Sequence, residues 1–440
     1  MFKTVLPLSA ILSLRFFGLF LVLPVLSAYA LNLEGATPLL IGVIVGGYAL
    51  TQAIFQIPFG VMSDKIGRKP TLLLGLVIFL VGSIICAVST DIYTLMAGRF
   101  LQGAGAIGAV IPAMISDLVN EESRGKAMAL MGGTIAISFA AAMALGPVIA
   151  AGFGFSSLFW IAAVLSILSM VVLFTNVPNP PRIRHIYHST TTTKDILKDP
   201  NLLSMIITNG MQKGLMTVSF VLIPIFLIKP EYGFLWDKKD LWQAFIPAMV
   251  MGLLAMGPAA VFGEKYNKPR EIFLLSIILF IVAFTLMGFA TKSWEFVAGV
   301  VSFFMAFNMM EPLVQSMISK YAKVHQKGAA LGIANGFAYF MTFVGGAAAG
   351  IALQYSSREV FTITLIVIST IWLLWTFKMQ NPHRYSHLYI SMDHVDMEKL
   401  NGLEHEHIAE WFINETENIV AVKYRKELIE EEAIKAKIVK

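Results

Sequence analysis

Twelve apolar runs, each close to the roughly 20 residues a helix needs to cross a bilayer, follow one another along the 440 residues. They lie near 5–30, 38–62, 71–90, 93–118, 127–150, 157–177, 202–228, 241–263, 271–290, 294–319, 328–354 and 359–379. Backbone amides and carbonyls inside hydrocarbon must be satisfied within the segment, so runs of this length fold as helices. The composition agrees: 57% of residues are hydrophobic and 14% charged, beyond the apolar share of soluble domains. The first run is longer than the core of a cleavable signal and reads as the first span. A single cysteine, Cys86, sits within the third run, so neither an intrachain disulfide nor a metal-thiolate cluster is expected.

Short polar loops separate the runs except at 178–201 and, on a smaller scale, at 229–240, and the chain divides six plus six. The expected layout is a bundle over 1–177, a linker over 178–201, a second bundle over 202–380 and a small charged domain over 381–440. Lys and Arg concentrate in alternate loops, among them Lys65, Arg68, Lys69, Arg182, Lys268 and Lys323, whereas the opposite loops hold only Lys229, Lys238, Lys239, Lys292 and Arg358. The basic set is therefore expected to be cytoplasmic, with both termini and the linker on that side. The net charge of +5 is explained by this placement, and no nucleic-acid partner is implied.

The turn Gly60-Val61-Met62-Ser63-Asp64-Lys65-Ile66-Gly67-Arg68-Lys69-Pro70 links the second and third runs. Its ionisable side chains are too costly for hydrocarbon and place it at the membrane surface. An internal repeat accompanies it. Ile115-Ser116-Asp117, with Arg124-Gly125 beyond, is echoed by Ile318-Ser319-Lys320, with Lys327-Gly328 beyond, and Glu264-Lys265-Tyr266-Asn267-Lys268-Pro269 is a weaker echo of the turn. The pattern G-x-x-x-D-[RK]-x-G-R-[RK] of the turn resembles the signature loop of the major facilitator superfamily of secondary transporters. Leu95 to Gly105, containing Arg99, is similar to the superfamily pattern L-x-x-x-R-x-x-Q-G-x-G. Ala142 to Ala150, containing Gly146 and Pro147, is similar to the helix-bend motif of its proton antiporters, G-x-x-x-G-P-x-x-G, with alanines replacing the outer glycines.

Arg15 to Leu26, Gln56 to Gly60 and Phe307 to Glu311 extend the resemblance to the twelve-span drug/proton antiporter-like branch and its YajR-type efflux transporters. The resemblance implies an all-α membrane fold of two pseudo-symmetric six-helix bundles with a substrate site between them, followed by a small, partial ferredoxin-like α/β cytoplasmic domain. It also implies that Gly60, Asp64, Gly67, Arg68 and Lys69 form a conformational gate with Asp117, latching the two halves in the outward-facing state.

Polar residues within spans mark a pathway. Tyr48, Gln52 and Gln56 form one stripe; Asn308, Glu311 and Gln315 line a face of the tenth run; Asn209 pairs with Lys213 on the seventh, and Asn335 with Tyr339 on the eleventh. Each neutral member can equally serve as interhelical glue. Glu311 is the most deeply placed carboxylate, and a proton site there would need Lys213, Arg99 or Arg15 as partner in one conformation only. A permanent salt bridge is the alternative. In the tail, Leu388–Met392 and 419–424 read as strands, 396–415 and 427–438 as helices, and five histidines (His383, His387, His394, His405, His407) lack metal-ligand spacing.

No nucleophile triad, phosphate-cradling loop or metal cluster is present in the sequence, so neither an enzyme nor a cofactor is expected. The expected activity is proton-coupled export of amphipathic molecules by an inner-membrane monomer, with self-association through the tail as an option. A uniporter or symporter for a small nutrient, or a receptor-like sensor signalling through the tail, are the alternatives.

Overall fold

A computed structural model describes residues 2–178, 193–322, 327–381, 385–396, 399–400, 408–414, 418–425 and 428–438. Most of the expected linker, together with His383, His405 and His407, lies outside the described residues. Among the described residues, eleven helices are long and apolar enough to cross a membrane. The twelfth crossing, fourth in order, is made by two shorter helices.

In chain order the spans are 1 (Phe2–Phe20 and Leu23–Ala30), 2 (Pro38–Ile66), 3 (Arg68–Val88), 4 (Ile92–Ala104 and Val110–Leu118), 5 (Glu121–Phe153) and 6 (Ser156–Thr175). A short helix, Thr193–Lys198, precedes spans 7 (Pro200–Ile228), 8 (Trp242–Ala260), 9 (Pro269–Phe289), 10 (Ser293–Tyr321), 11 (Lys327–Tyr355) and 12 (Arg358–Thr376). Their starts carry local chemistry. Asp91 accepts from the amides of Tyr93 and Thr94, both at 2.9 Å, and Asp199 does the same for Asn201 and Leu202 with Pro200 at the first helical position. Glu295 reaches back to the amides of Thr291 and Lys292 at 2.9 and 3.1 Å. Gly67 at φ +106° turns the chain between spans 2 and 3, a conformation that a side chain would strain.

Span 4 breaks because its backbone is drawn against span 3. A Cβ at Gly105 would stand 2.3 Å from the Gly75 carbonyl oxygen, so the two chains touch where a side chain would otherwise intervene. Two tight bonds, Ala106 N–H to Ala104 O and Ile107 N–H to Gly105 O at 2.8 and 2.9 Å, replace helical bonding there. The continuous apolar run 93–118 is thus one crossing built from two helices. Outward positions such as Ile57, Val164, Leu254 and Ile371 stay exposed, as a lipid-facing surface requires.

The two six-span bundles meet along a seam that is tight at one face only. At the face opposite the Gly60–Pro70 turn, spans 2 and 11 run backbone on backbone: a Cβ at Gly42 would lie 2.1 Å from the Gly346 carbonyl oxygen. Ser27 of span 1 donates to the Phe220 carbonyl of span 7 at 3.0 Å on the same side. Toward the turn face, Gly60, Gly132, Gly332 and Gly336 have no atom within 4 Å of a built Cβ. The bundles form a V that opens toward the turn.

This geometry carries a first prediction. Gly42→Val should wedge the closed face apart, because overpacking at such a contact costs about 1–3 kcal/mol, which shifts a two-state balance by about fivefold to a hundredfold. A cysteine at Ser27 should then react at least about fivefold faster with a membrane-impermeant maleimide supplied on that face. Unchanged labelling would show that the small-residue contact does not hold the seam.

The tail forms its own core around Leu388, Val420, Val422, Ile434 and Ile438. Strands β1 (Tyr385–Ser391), β2 (Ile408–Asn414) and β3 (Ile419–Arg425) pair antiparallel in the order β1–β3–β2, with a helix at Glu431–Ile438. That order suits three strands of a ferredoxin-like sheet. The expected helix over 396–415 is corrected at its end. Residues 408–414 are a strand, because Trp411 and Ile413 pair across to Val422 and Val420, a non-local contact that overrides their local pattern.

Candidate transport site at the seam

Glu311 on span 10 and Lys213 on span 7 form a pair, Lys213 Nζ lying 2.8 and 2.7 Å from the two carboxylate oxygens. Gln212 donates to the same carboxylate at 3.0 Å and also to the Phe307 carbonyl at 3.0 Å. Lys213 sits over the Phe307 ring, 4.8 Å from its centre. Both charged side chains remain partly exposed, 24% for Lys213 and 35% for Glu311, so the pair borders open space. Counted by helical rise, Glu311 is roughly 15 Å and Lys213 roughly 20 Å from the turn-face ends of their spans; the two long side chains close that offset.

Neighbouring amides extend the site. Asn335 accepts from Asn209 at 3.3 Å and from Gln315 at 2.9 Å, which ties spans 7, 10 and 11 together. Asn308 departs from the expected stripe: its amide donates to the Phe304 carbonyl of its own helix at 2.8 Å and packs against Gly252 of span 8. The missing side chain at Gly252 makes that room, so Asn308 turns away from Glu311.

Arg99 is not beside Glu311 either. It is fully buried in the first bundle, donating to Gln102 at 2.8 Å and to the Ile44 carbonyl at 3.4 Å, with its guanidinium 4.7 Å from the Tyr48 ring centre. Gln102 passes the chain on to Ser83 at 2.9 Å. Arg15 is likewise buried in the first bundle and donates to Gln52 at 3.4 Å. Tyr339 of span 11 stands between the halves, beside Gln52 and within Coulombic reach of both Arg15 and Glu311. Gln56 faces the same space across Gly108. Gln212 and Gln102 are bonding partners of these charged groups that sequence reasoning passed over, although each sits one or three positions from a cation that it did single out.

At the turn, Arg68 Nε donates to Asp117 at 2.8 Å, and its other nitrogen donates to Asp64 and Ser63, both at 2.6 Å. All of these residues belong to the first bundle, so the cluster is complete in a conformation whose bundles stand apart at this face. Asp64, Lys65 and Lys69 are otherwise directed at the surface. The second bundle holds the inverted counterpart, in which Lys320 of span 10 pairs with Glu264 beyond span 8, and Ser316 donates to the same carboxylate. Base and acid have exchanged places between loop and span. At the helix-bend motif, span 5 is continuous through Pro147, and Gly146 lies against the Leu21 carbonyl where span 1 is interrupted. That carbonyl would be 2.2 Å from a Cβ.

Comparisons with known proteins place this geometry in a family. The Major Facilitator Superfamily model matches residues 8–262 and 242–393. The inner membrane transport protein YajR of Escherichia coli (strain K12) is 35% identical over 94% of this chain and 92% of its own. A tetracycline resistance protein, class E, of Escherichia coli is 28% identical over 66% of this chain and 74% of its own. Among solved structures, a D-xylose-proton symporter superposes with a TM-score of 0.71 at 16% identity, covering 86% of this chain and 98% of that one. With two bundles, a polar seam, the charged turn and these matches together, the chain is a multi-pass transporter, not an enzyme, and belongs to the Major Facilitator Superfamily.

Proposed function

We propose that this chain is a proton-coupled exporter of amphipathic small molecules, moving them by alternating access between the two bundles. The observation that carries the reading is the Lys213–Glu311 pair: a carboxylate deep in the membrane, bordering open space and held by a cation on a different span. A charge in that place is expensive and is retained where it moves ions or substrate. Rocking of spans 7 and 10 would exchange Lys213 for a proton, giving the site two states. The tetracycline resistance relative, the Gly146–Pro147 contact and an aromatic seam support export of apolar cargo. The turn face, rich in Lys and Arg, is assigned to the cytoplasm of an inner membrane, which makes the observed V inward-open. The Arg68 cluster then braces the inner end of the first bundle.

The test is proton counterflow. Purified protein in liposomes loaded with a pH-sensitive dye should acidify or alkalinise the lumen when a panel of amphipathic compounds is added, in the sense opposite to cargo movement. Cargo flux without any proton movement would sink the coupling. The tail is assigned a modulatory role, exerted through self-association in an otherwise monomeric transporter. Truncation after Asn381 should leave an inserted protein with at least about a third of the parent flux, since the tail has a core of its own. An empty membrane fraction or zero flux would make the tail an integral structural part.

A further inference from the structure

Arg15 is a buried cation with nothing to neutralise it. Its side chain has no solvent exposure, one amino group reaches Gln52 at 3.4 Å, and its Nε and other amino group have no hydrogen-bond partner among the described residues. The Gln52 amide nitrogen lies beside the Tyr339 hydroxyl without a hydrogen bond of good geometry. Groups of this kind cost several kcal/mol when left unpaired in an apolar setting, and a purely structural arginine avoids this. Arg358, by contrast, gives one amino group to two carbonyls, those of Met287 and Ala290 at 2.5 and 3.2 Å, and leaves only its Nε buried without a partner.

Around Gln52, the residue that Arg15 contacts, polar side chains from both bundles converge. A Cβ built on Gly108 of span 4 would lie 3.5 Å from the Gln52 amide nitrogen, 3.7 Å from the Gln56 carbonyl oxygen and 3.8 Å from the Tyr339 hydroxyl. Polar atoms from both bundles thus meet at one small gap at the seam, where the Gln56 carbonyl oxygen is itself without a partner. The nearest deep acid, Glu311, is already held by Lys213 and Gln212. Arg15 is thus left without a carboxylate partner among the described residues.

An aromatic path leads away from this gap. Phe16, whose ring centre is 5.6 Å from the Arg15 guanidinium, stacks on Phe20 at 5.3 Å. Phe20 meets Phe139 at 5.0 Å, and Phe139 meets Phe307 across the seam at 5.5 Å. Phe307 lies beneath Lys213. Cation, donors and aromatic wall together describe a molecule with one anionic head and a flat apolar body.

We propose that the cargo is an aromatic or amphipathic carboxylate whose anionic group sits at Arg15, between Gln52 and Tyr339, with its ring against the Phe20–Phe139–Phe307 wall. This deepens the exporter reading and rests on it. One guanidinium with a fork of free donors suits a planar carboxylate held by two bonds. A phosphate ester would call for a second cation at the gap, and none is there among the described residues.

The experiment is binding to the full chain in lipid nanodiscs, using three probes with one ring system: 1-naphthoate, 1-naphthamide and 1-naphthylmethylammonium. Naphthoate should bind at least about tenfold tighter than the amide, the scale of a charge-assisted pair. Arg15→Gln should erase that preference in a variant shown to be folded by monodisperse elution and parent-like thermal stability, and Arg15→Lys should keep part of it. Equal affinity for naphthoate and naphthamide, or a preference that survives Arg15→Gln, overturns the proposal. So does chloride, if it displaces naphthoate in the parent at matched concentration, because the gap would then be a resident-ion site. Naphthoate preference without proton movement in liposomes would sink proton coupling and leave the anion site standing. Proton-coupled flux of naphthylmethylammonium alone would do the reverse.

Discussion

Glu311→Gln is expected to abolish accumulation against a gradient while leaving downhill exchange in place. Gln keeps the size of the side chain and can still accept from Lys213 and Gln212, which lie 2.7–3.0 Å from the present carboxylate. It cannot take up or release a proton. A one-unit pH difference is worth about 1.4 kcal/mol per proton, so a one-for-one exchanger can hold about a tenfold concentration ratio. In Glu311→Gln vesicles that ratio should fall to one, with exchange of labelled for unlabelled cargo within a few-fold of the parent. A Lys213→Met partner experiment separates charge from titration. It leaves a bare carboxylate at the seam, so proton-driven flux should change its pH profile and keep some gradient response. If Glu311→Gln still concentrates cargo at the parent rate, the coupling site lies elsewhere, and Asp64 and Asp117 are the next acids to vary.

Arg68→Ala should lower flux by at least about tenfold with normal insertion. The substitution removes the donors that reach Asp117, Asp64 and Ser63. Asp117 is only 12% exposed in the present pair, so stranding it costs more than a surface charge would. Breaking buried pairs costs about 3–5 kcal/mol, and the residual exposure here reduces that to roughly 1–3 kcal/mol. Such an energy redistributes conformations without unfolding twelve spans. The double exchange Arg68→Asp with Asp117→Arg should recover part of the flux. Its plausibility rests on the second bundle, where the acid Glu264 already occupies the loop and the base Lys320 the span. Parent-level flux in Arg68→Ala, measured in the same vesicles, would show that the cluster has no part in gating.

Glu311 and Lys213 were legible as partners before any coordinates, since both are ionisable residues inside apolar runs and their depths differ by about one helical turn. Arg99 was equally visible as a buried cation, yet its surroundings were not. Which of several polar residues it meets depends on how spans 2, 3 and 4 rotate, and that rotation is set by glycine contacts such as Gly105 on Gly75. Asn308 shows the same limit: its position on the helix suggested a polar stripe with Glu311, and the space left by Gly252 drew its amide toward span 8 instead.

By itself, the sequence determined the number of crossings, their approximate places, the charged turn and the division into two bundles and a tail. The reason is local: in hydrocarbon a backbone can satisfy its polar groups only within its own helix, so length and hydropathy suffice. Tertiary structure alone decided the break in span 4, the strand at Ile408–Asn414, the closure of one face of the seam and the unsatisfied guanidinium of Arg15. Each of these depends on a group contributed by a distant segment, whether a glycine backbone, a pairing strand or an opposing side chain, and close packing between segments has no periodicity along the chain from which it can be read.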